Sequence, residues 1–158
     1  VAIADRAGYR VKLLGRALRL ADGRQAAYVA PHLVPQDCPV APVDDVFNAI
    51  MIRGNAVGDV MFYGRGAGDL PTASAVMGDV MDAVQHRAKR RELGWSESAE
   101  LADFAGLSMK WYLRGDFPAP EGSTELSGGA VIAGPMTAAQ AEALAEKLGA
   151  AALLPVFE

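Results

Sequence analysis

One cysteine and two histidines in 158 residues leave little from which to build thiol or metal chemistry. Cys38 alone cannot close an internal disulfide or supply a thiolate-rich metal site, so a reducing compartment, the cytoplasm, is expected. No apolar stretch reaches the ~20 residues of a membrane span, and the first residues carry no basic segment followed by an apolar core. No membrane partner is therefore expected. Positive charge is also scarce: 15 Lys and Arg against 19 Asp and Glu give a net charge of −4. Phosphate neutralisation needs a basic field, so nucleic acid is not expected as a partner either. The one dense basic run, "HRAKRRE" (His86 to Glu92), reads as the solvated end of a helix. The chain opens on Val1 and reads as the later part of something longer.

Apolar residues, in contrast, make up 51% of the chain, enough for one ordinary domain or a small domain with an appendage. An Ala-rich opening reads as a short helix that Gly8 ends, followed by a strand over Val11 to Leu20 and an Asp22-Gly23 turn. "RQAAYVAPHLVP" predicts a second strand, with Pro31 placing it at an edge or bulge because proline donates no ladder hydrogen bond. "QDCPVAPVDD" is a loop or a short helical turn. "VFNAIMI" (Val46 to Ile52) and Val57 to Tyr63 form a hairpin around "RGNAVG", and the strands together predict a largely antiparallel sheet. Ala73, Val76, Met77, Val80, Met81 and Val84 then recur at the spacing of one helical face, with Pro71 in the first turn. After a less patterned tether, "MKWYLRGDF", "AVIAG" and "AAALLPVF" read as strands. "PAPEGSTELSGG" reads as a loop, and Thr137 with Gln140 opens a helix that Gly149 closes.

Candidate sites are few. Gly64, Gly66 and Gly68 stand at alternate positions in "VMFYGRGAGDLPTASAV", at a strand-to-helix junction where bare main chain and a helix N-terminus could meet a ligand. The spacing is neither the dinucleotide fingerprint nor a P-loop, and a tight turn explains it equally well. His32 sits in an apolar run and reads as a structural histidine; His86 lies on the polar end of a helix, so a histidine metal site is not expected. Asp44 and Asp45 are adjacent carboxylates on a loop, and Cys38 has no activating base nearby in sequence.

"GYRVKLLGRA", "YVAPHLVP" and "PVAPVDDVFNAIMIRGNAVGDVMFYGRGAGDLPTASAV", from about Ala4 to about Arg87, together resemble the end of the catalytic region of homoserine dehydrogenases. The resemblance implies an enzyme that interconverts L-aspartate 4-semialdehyde and L-homoserine with NAD or NADP, on the route to threonine, methionine and isoleucine. It also implies a homodimer, and an N-terminal Rossmann domain and substrate-binding part that these residues do not include. The Rossmann Gly-x-Gly-x-x-Gly loop is absent from the sequence, as are the family's catalytic lysine and aspartate, so the chain by itself is expected to be inactive. Gly68 matches the family glycine that lies against the cofactor. Gly66 joins it as a cofactor-binding residue, with Gly64 helping the backbone turn and Asp69, Pro71 and Thr72 shaping the helix start. Cys38 stands where many family members have histidine.

The last third resembles a shortened ACT domain, a βαββαβ effector-binding unit. Asp116 and Pro118 form its first turn, Ala119 stands where glycine is usual, and the first helix is missing. The expectation is thus an α+β chain: residues 1–91 from the catalytic and dimerisation region, 92–106 a linker, and 107–158 a degenerate ACT-like unit. A non-catalytic regulatory or dimerisation module derived from the same family is the alternative.

Overall fold

Alternating burial along Tyr9–Arg19 (β1) and Gln25–Pro35 (β2) produces an antiparallel hairpin in unbroken register from Tyr9 opposite Pro35 to Arg19 opposite Gln25. The computed structural model describes residues 2–87, 94–95 and 99–158. Gly23 makes the turn at φ 88°, and the Leu20 N–H donates to the Arg24 carbonyl at 2.9 Å. A short helix, Ala2–Arg6 (α1), precedes the hairpin and stops at Gly8, φ 82°, as the glycine predicts. The ribbon has only two strands, so both are edges and the register passes Pro31 without a bulge.

The chain divides into two compact units, one comprising residues 1–41 and 98–158, the other 42–97. In the first, the sheet order is β6-β7-β5-β8, built from Ser108–Arg114 (β5), Thr124–Leu126 (β6), Ala130–Thr137 (β7) and Ala152–Pro155 (β8), all antiparallel. Both faces of this sheet are covered. Trp111 and Leu113 point toward the helix Ala138–Leu148 (α3), joining Val131, Ala133, Ala138, Ala141 and Ala145 in one core cluster. Tyr112, one residue out of phase, points the other way into a second cluster with Ala4 of α1, Leu33 of β2, Ala130 and Val156. Three consecutive residues of β5 are buried for this reason, where a strand with one wet face would alternate.

The expected single sheet is not formed: β1-β2 and the hairpin of Phe47–Gly54 (β3) and Gly58–Arg65 (β4) are separate two-stranded sheets. The free edge of β2 is already occupied. Gln25 bridges Leu101, and Leu33 bridges Val156, both in parallel, with the Phe157 N–H donating to the Leu33 carbonyl at 2.9 Å. A backbone group bonded there is not available to a third strand.

α3 shows its N-terminal device in full: the Thr137 hydroxyl accepts from the Gln140 N–H at 3.3 Å and the Gln140 side chain accepts from the Thr137 N–H at 2.9 Å. Gly149, φ 65°, ends it. Thr137→Ala removes one half of the box and is expected to cost about 1 kcal/mol. A shifted urea midpoint at constant slope checks this. "PAPEGSTELSGG", expected as loop throughout, contains β6, which the sequence pattern misses because the strand is short and held only by pairing with β7. No helix lies between β5 and β6. No helix among the described residues is long and apolar enough to cross a membrane.

Candidate functional site

The hairpin of the second unit delivers the glycine-rich stretch to a helix. β3 and β4 pair from Phe47 opposite Arg65 to Gly54 opposite Gly58, with the expected turn between them and Gly58 at φ 72°. At the far end Phe47 stacks on Tyr63, centroids 5.0 Å apart, and the Arg65 guanidinium lies 5.2 Å from the Phe47 ring centre. The chain leaves β4 through Gly66, Ala67 and Gly68 and enters the helix Asp69–Gln85 (α2).

The three glycines differ in their surroundings. Gly64 has an ordinary backbone and no atom within 4 Å of where a side chain would begin. Gly66 is covered by the Asn48 side-chain amide, which occupies the space a β-carbon would need; its own N–H donates to the Val46 carbonyl at 3.2 Å. Asn48 reaches it across the hairpin because it pairs with Gly64, two residues earlier on the same face. Gly68 adopts φ 112° and ψ 158°, a region essentially restricted to glycine. Only Pro71 comes near a β-carbon built there, at 3.6 Å, an ordinary contact.

Gly68 is also the N-cap of α2, and no side chain caps the helix. Its carbonyl accepts from the Thr72 N–H at 3.1 Å and from the Thr72 hydroxyl at 2.8 Å, bracing the first turn over Pro71, which has no N–H to donate. The first N–H groups of the helix therefore have no side-chain cap from the N-cap residue. Asp69, in the same turn, already supplies a negative charge to this end of the dipole, which weakens the case for a phosphate here relative to a neutral group.

The other sequence candidates do not gather at this junction. His32 is buried; its Nδ1 lies 2.8 Å from the Ala30 carbonyl, which can only accept, so Nδ1 carries the proton. Its Nε2 faces the Tyr28 hydroxyl at 3.4 Å. Burial pushes its pKa down, the Ala30 bond opposes this, and the charge of Arg16 adds to the lowering, so the ring is a neutral structural group at pH 7. Cys38 is a half-buried free thiol in the turns after β2, and Asp44 and Asp45 are exposed. α2 ends at Gln85, before the basic run rather than within it; His86 caps the helix with its N–H on the Asp82 carbonyl at 3.0 Å, and residues 88–93 lie outside the described residues. Among the described residues no group of three or more His, Cys, Asp or Glu side chains could hold a metal. Asn48 is the residue that sequence reasoning missed, and only the strand register reveals it.

Comparison with known proteins fits this hairpin-glycine-helix arrangement to one family. The sequence model of homoserine dehydrogenase matches residues 1–81. The chain is 48% identical over 82 residues to a homoserine dehydrogenase from Pseudomonas aeruginosa, covering 52% of this chain and 19% of that protein. It is 41% identical over 117 residues to one from Corynebacterium glutamicum, covering 70% of this chain and 26% of that protein. Among solved structures, a homoserine dehydrogenase from Thiobacillus denitrificans shares the fold across 100% of this chain and 44% of its own, with a TM-score of 0.79 at 23% identity. One from S. aureus superposes with a TM-score of 0.65 at 28% identity, again over 100% of this chain and 44% of its own. The chain thus spans about a fifth to a quarter of the length of these curated relatives, and the match over its first half shows that it belongs to the homoserine dehydrogenase family.

Proposed function

We propose that this chain serves as the C-terminal part of an NAD(P)-dependent homoserine dehydrogenase, interconverting L-aspartate 4-semialdehyde and L-homoserine in threonine, methionine and isoleucine biosynthesis in the cytoplasm. The observation that carries the reading is Gly68: an exposed main-chain turn in a conformation closed to other residues, at the mouth of a helix, inside the family-matched stretch. When bound, the nicotinamide ring would give hydride to the aldehyde as NADH or NADPH and take it from the alcohol as the oxidised form. Gly68 offers the ring a surface without a β-carbon, and α2 holds that surface through the two Thr72 bonds to the Gly68 carbonyl. Gly66 enters through its main chain only, since Asn48 occupies its side-chain space. Hydride transfer also needs the cofactor held rigidly and a proton donor for the developing alkoxide. Both are assigned to a Rossmann and substrate-binding part of the same enzyme.

Homodimerisation belongs to the same reading. No residue of β4 or α2 is buried, and Ile50, Phe62, Val76, Met77 and Met81 are all more than half exposed. A two-stranded hairpin is marginal alone in water and gains stability when its apolar faces are covered. Within the division into a family portion (1–91), a connector (92–106) and an ACT-like unit (107–158), the antiparallel order β6-β7-β5-β8, with one helix after β7 and none after β5, supports the ACT-like part; by packing, residues 1–41 group with 98–158. The same exposed faces favour a second reading, a non-catalytic dimerisation or regulatory module.

One experiment separates the two. The polypeptide of the whole natural reading frame is assayed for NADPH consumption with L-aspartate 4-semialdehyde, beside residues 1–158 alone. Turnover by the longer protein and none by the shorter is expected. A reading frame without an upstream Gly-x-Gly-x-x-Gly unit, and no turnover by either, establishes the module.

A further inference from the structure

We propose that the cavity between β1, the start of β5 and the chain end binds a short aliphatic carboxylate, with Arg16 as the partner of its charge. The cavity measures about 200 Å³ and is lined by residues of the first compact unit only. A cavity of ~150 Å³ holds benzene, so this one suits a molecule of roughly six to nine non-hydrogen atoms. Leu18, Leu107 and Met109 supply apolar wall, and Arg16, Tyr28 and Ser108 supply polar groups.

Arg16 is the reason for an anion. It is half-buried, its guanidinium lies 4.9 Å from the Phe157 ring centre, and its Nη1 is 3.4 Å from the Tyr28 hydroxyl. Among the described residues no carboxylate comes within ion-pair distance of it. The side-chain carboxylate of Glu158, in the lining, is held by Lys110 Nζ at 2.6 Å. A guanidinium partly removed from water is therefore offset only by an aromatic face and a long hydroxyl contact. A planar carboxylate can take its N–H fork in two parallel bonds.

The remaining lining narrows the class. Phosphate would set a dianion in a largely apolar space near the Glu158 carboxylate, at a desolvation cost that one arginine does not offset. An amino acid would need a partner for its ammonium, and Glu158 already has Lys110. The plain branched acid, with its alkyl body against the leucines and Met109, is the better match. This site does not depend on the cofactor reading: it draws no residue from the glycine-bearing unit.

Isothermal titration of the intact protein with 4-methylpentanoate, and in parallel with L-leucine, tests it. One saturable site for 4-methylpentanoate is expected, with a rise in the melting temperature and weaker or no binding of leucine. Arg16→Leu should weaken binding about tenfold to hundredfold, the worth of a charge-assisted hydrogen bond. Arg16→Lys should fall between, since it keeps the charge without the fork. Ser108→Trp, at an exposed position, should block the cavity while the protein stays folded, so a misfolded Arg16→Leu would not end the test. No saturable heat or melting shift overturns the proposal. So does unchanged affinity in both the Arg16→Leu and Ser108→Trp proteins, or binding of leucine where the plain acid fails.

Discussion

Gly68→Val in the full-length enzyme is expected to lower kcat/KM for the nicotinamide cofactor by about tenfold or more, from strain of roughly 1–3 kcal/mol in the turn and from a side chain on the cofactor's face. At φ 112° any residue with a β-carbon strains the turn, so some loss of stability accompanies the change. Controls separate the two effects. Gly64→Ala, which meets nothing within 4 Å on an ordinary backbone, should leave kinetics and melting unchanged. Gly66→Ala should disturb the hairpin by displacing Asn48, and Asn48→Ala should restore it. Were Gly66 bare for the cofactor's sake, the second substitution would rescue nothing. Wild-type kinetics in Gly68→Val would remove the assignment, and activity recovered fully on cooling would make the glycine a matter of folding alone.

Leu113→Ala is expected to destabilise the first unit by about 2–5 kcal/mol, against the 5–15 kcal/mol that holds a typical domain together. Leu113 is fully buried at the centre of the four-stranded sheet, opposite Val131 on β7 and Leu153 on β8, in the cluster beneath α3. Its neighbours are anchored: Trp111 donates its indole N–H to the Met136 carbonyl at 3.0 Å, and α3 is fixed by the Thr137 box and Gly149. Little can therefore collapse into the space the leucine vacates. Urea unfolding followed by far-UV circular dichroism measures the loss; a change below about 1 kcal/mol would mean that the sheet and α3 repack freely.

What could be read from the chain divides along the range of the interactions. The turn at Asp22-Gly23, the β3-β4 hairpin, the capping box at Thr137, the stops at Gly8 and Gly149 and the start of α2 near Pro71 are local devices, and local sequence carries them. β6 is not local: three residues in a turn-rich stretch become a strand because β7 lies alongside. The bonding of Leu101 and Val156 to β2 joins residues far apart along the chain. At the candidate junction, the sequence singles out Gly68 through the family resemblance and its place before Pro71, and its φ of 112° is a conformation that local sequence does not specify. The contact of Asn48 with Gly66 is not legible there, because it follows from strand register. The Arg16 cavity joins β1 to β5, whose residues stand roughly a hundred positions apart in a sequence that gives no local sign of their meeting.

The outer margin of β2 carries a last consequence. Residues near both of its ends are already bonded, Gln25 to the segment around Leu101 and Leu33 to Phe157. Any foreign chain that aligned itself there would first have to peel away the strap at one end, and with it the Arg16 and Phe157 pairing. The β2 side of this ribbon is thus guarded against edge-to-edge pairing by residues distant in sequence. Shortening the protein by its last few positions would unfasten that guard before it disturbed the sheet beneath α3.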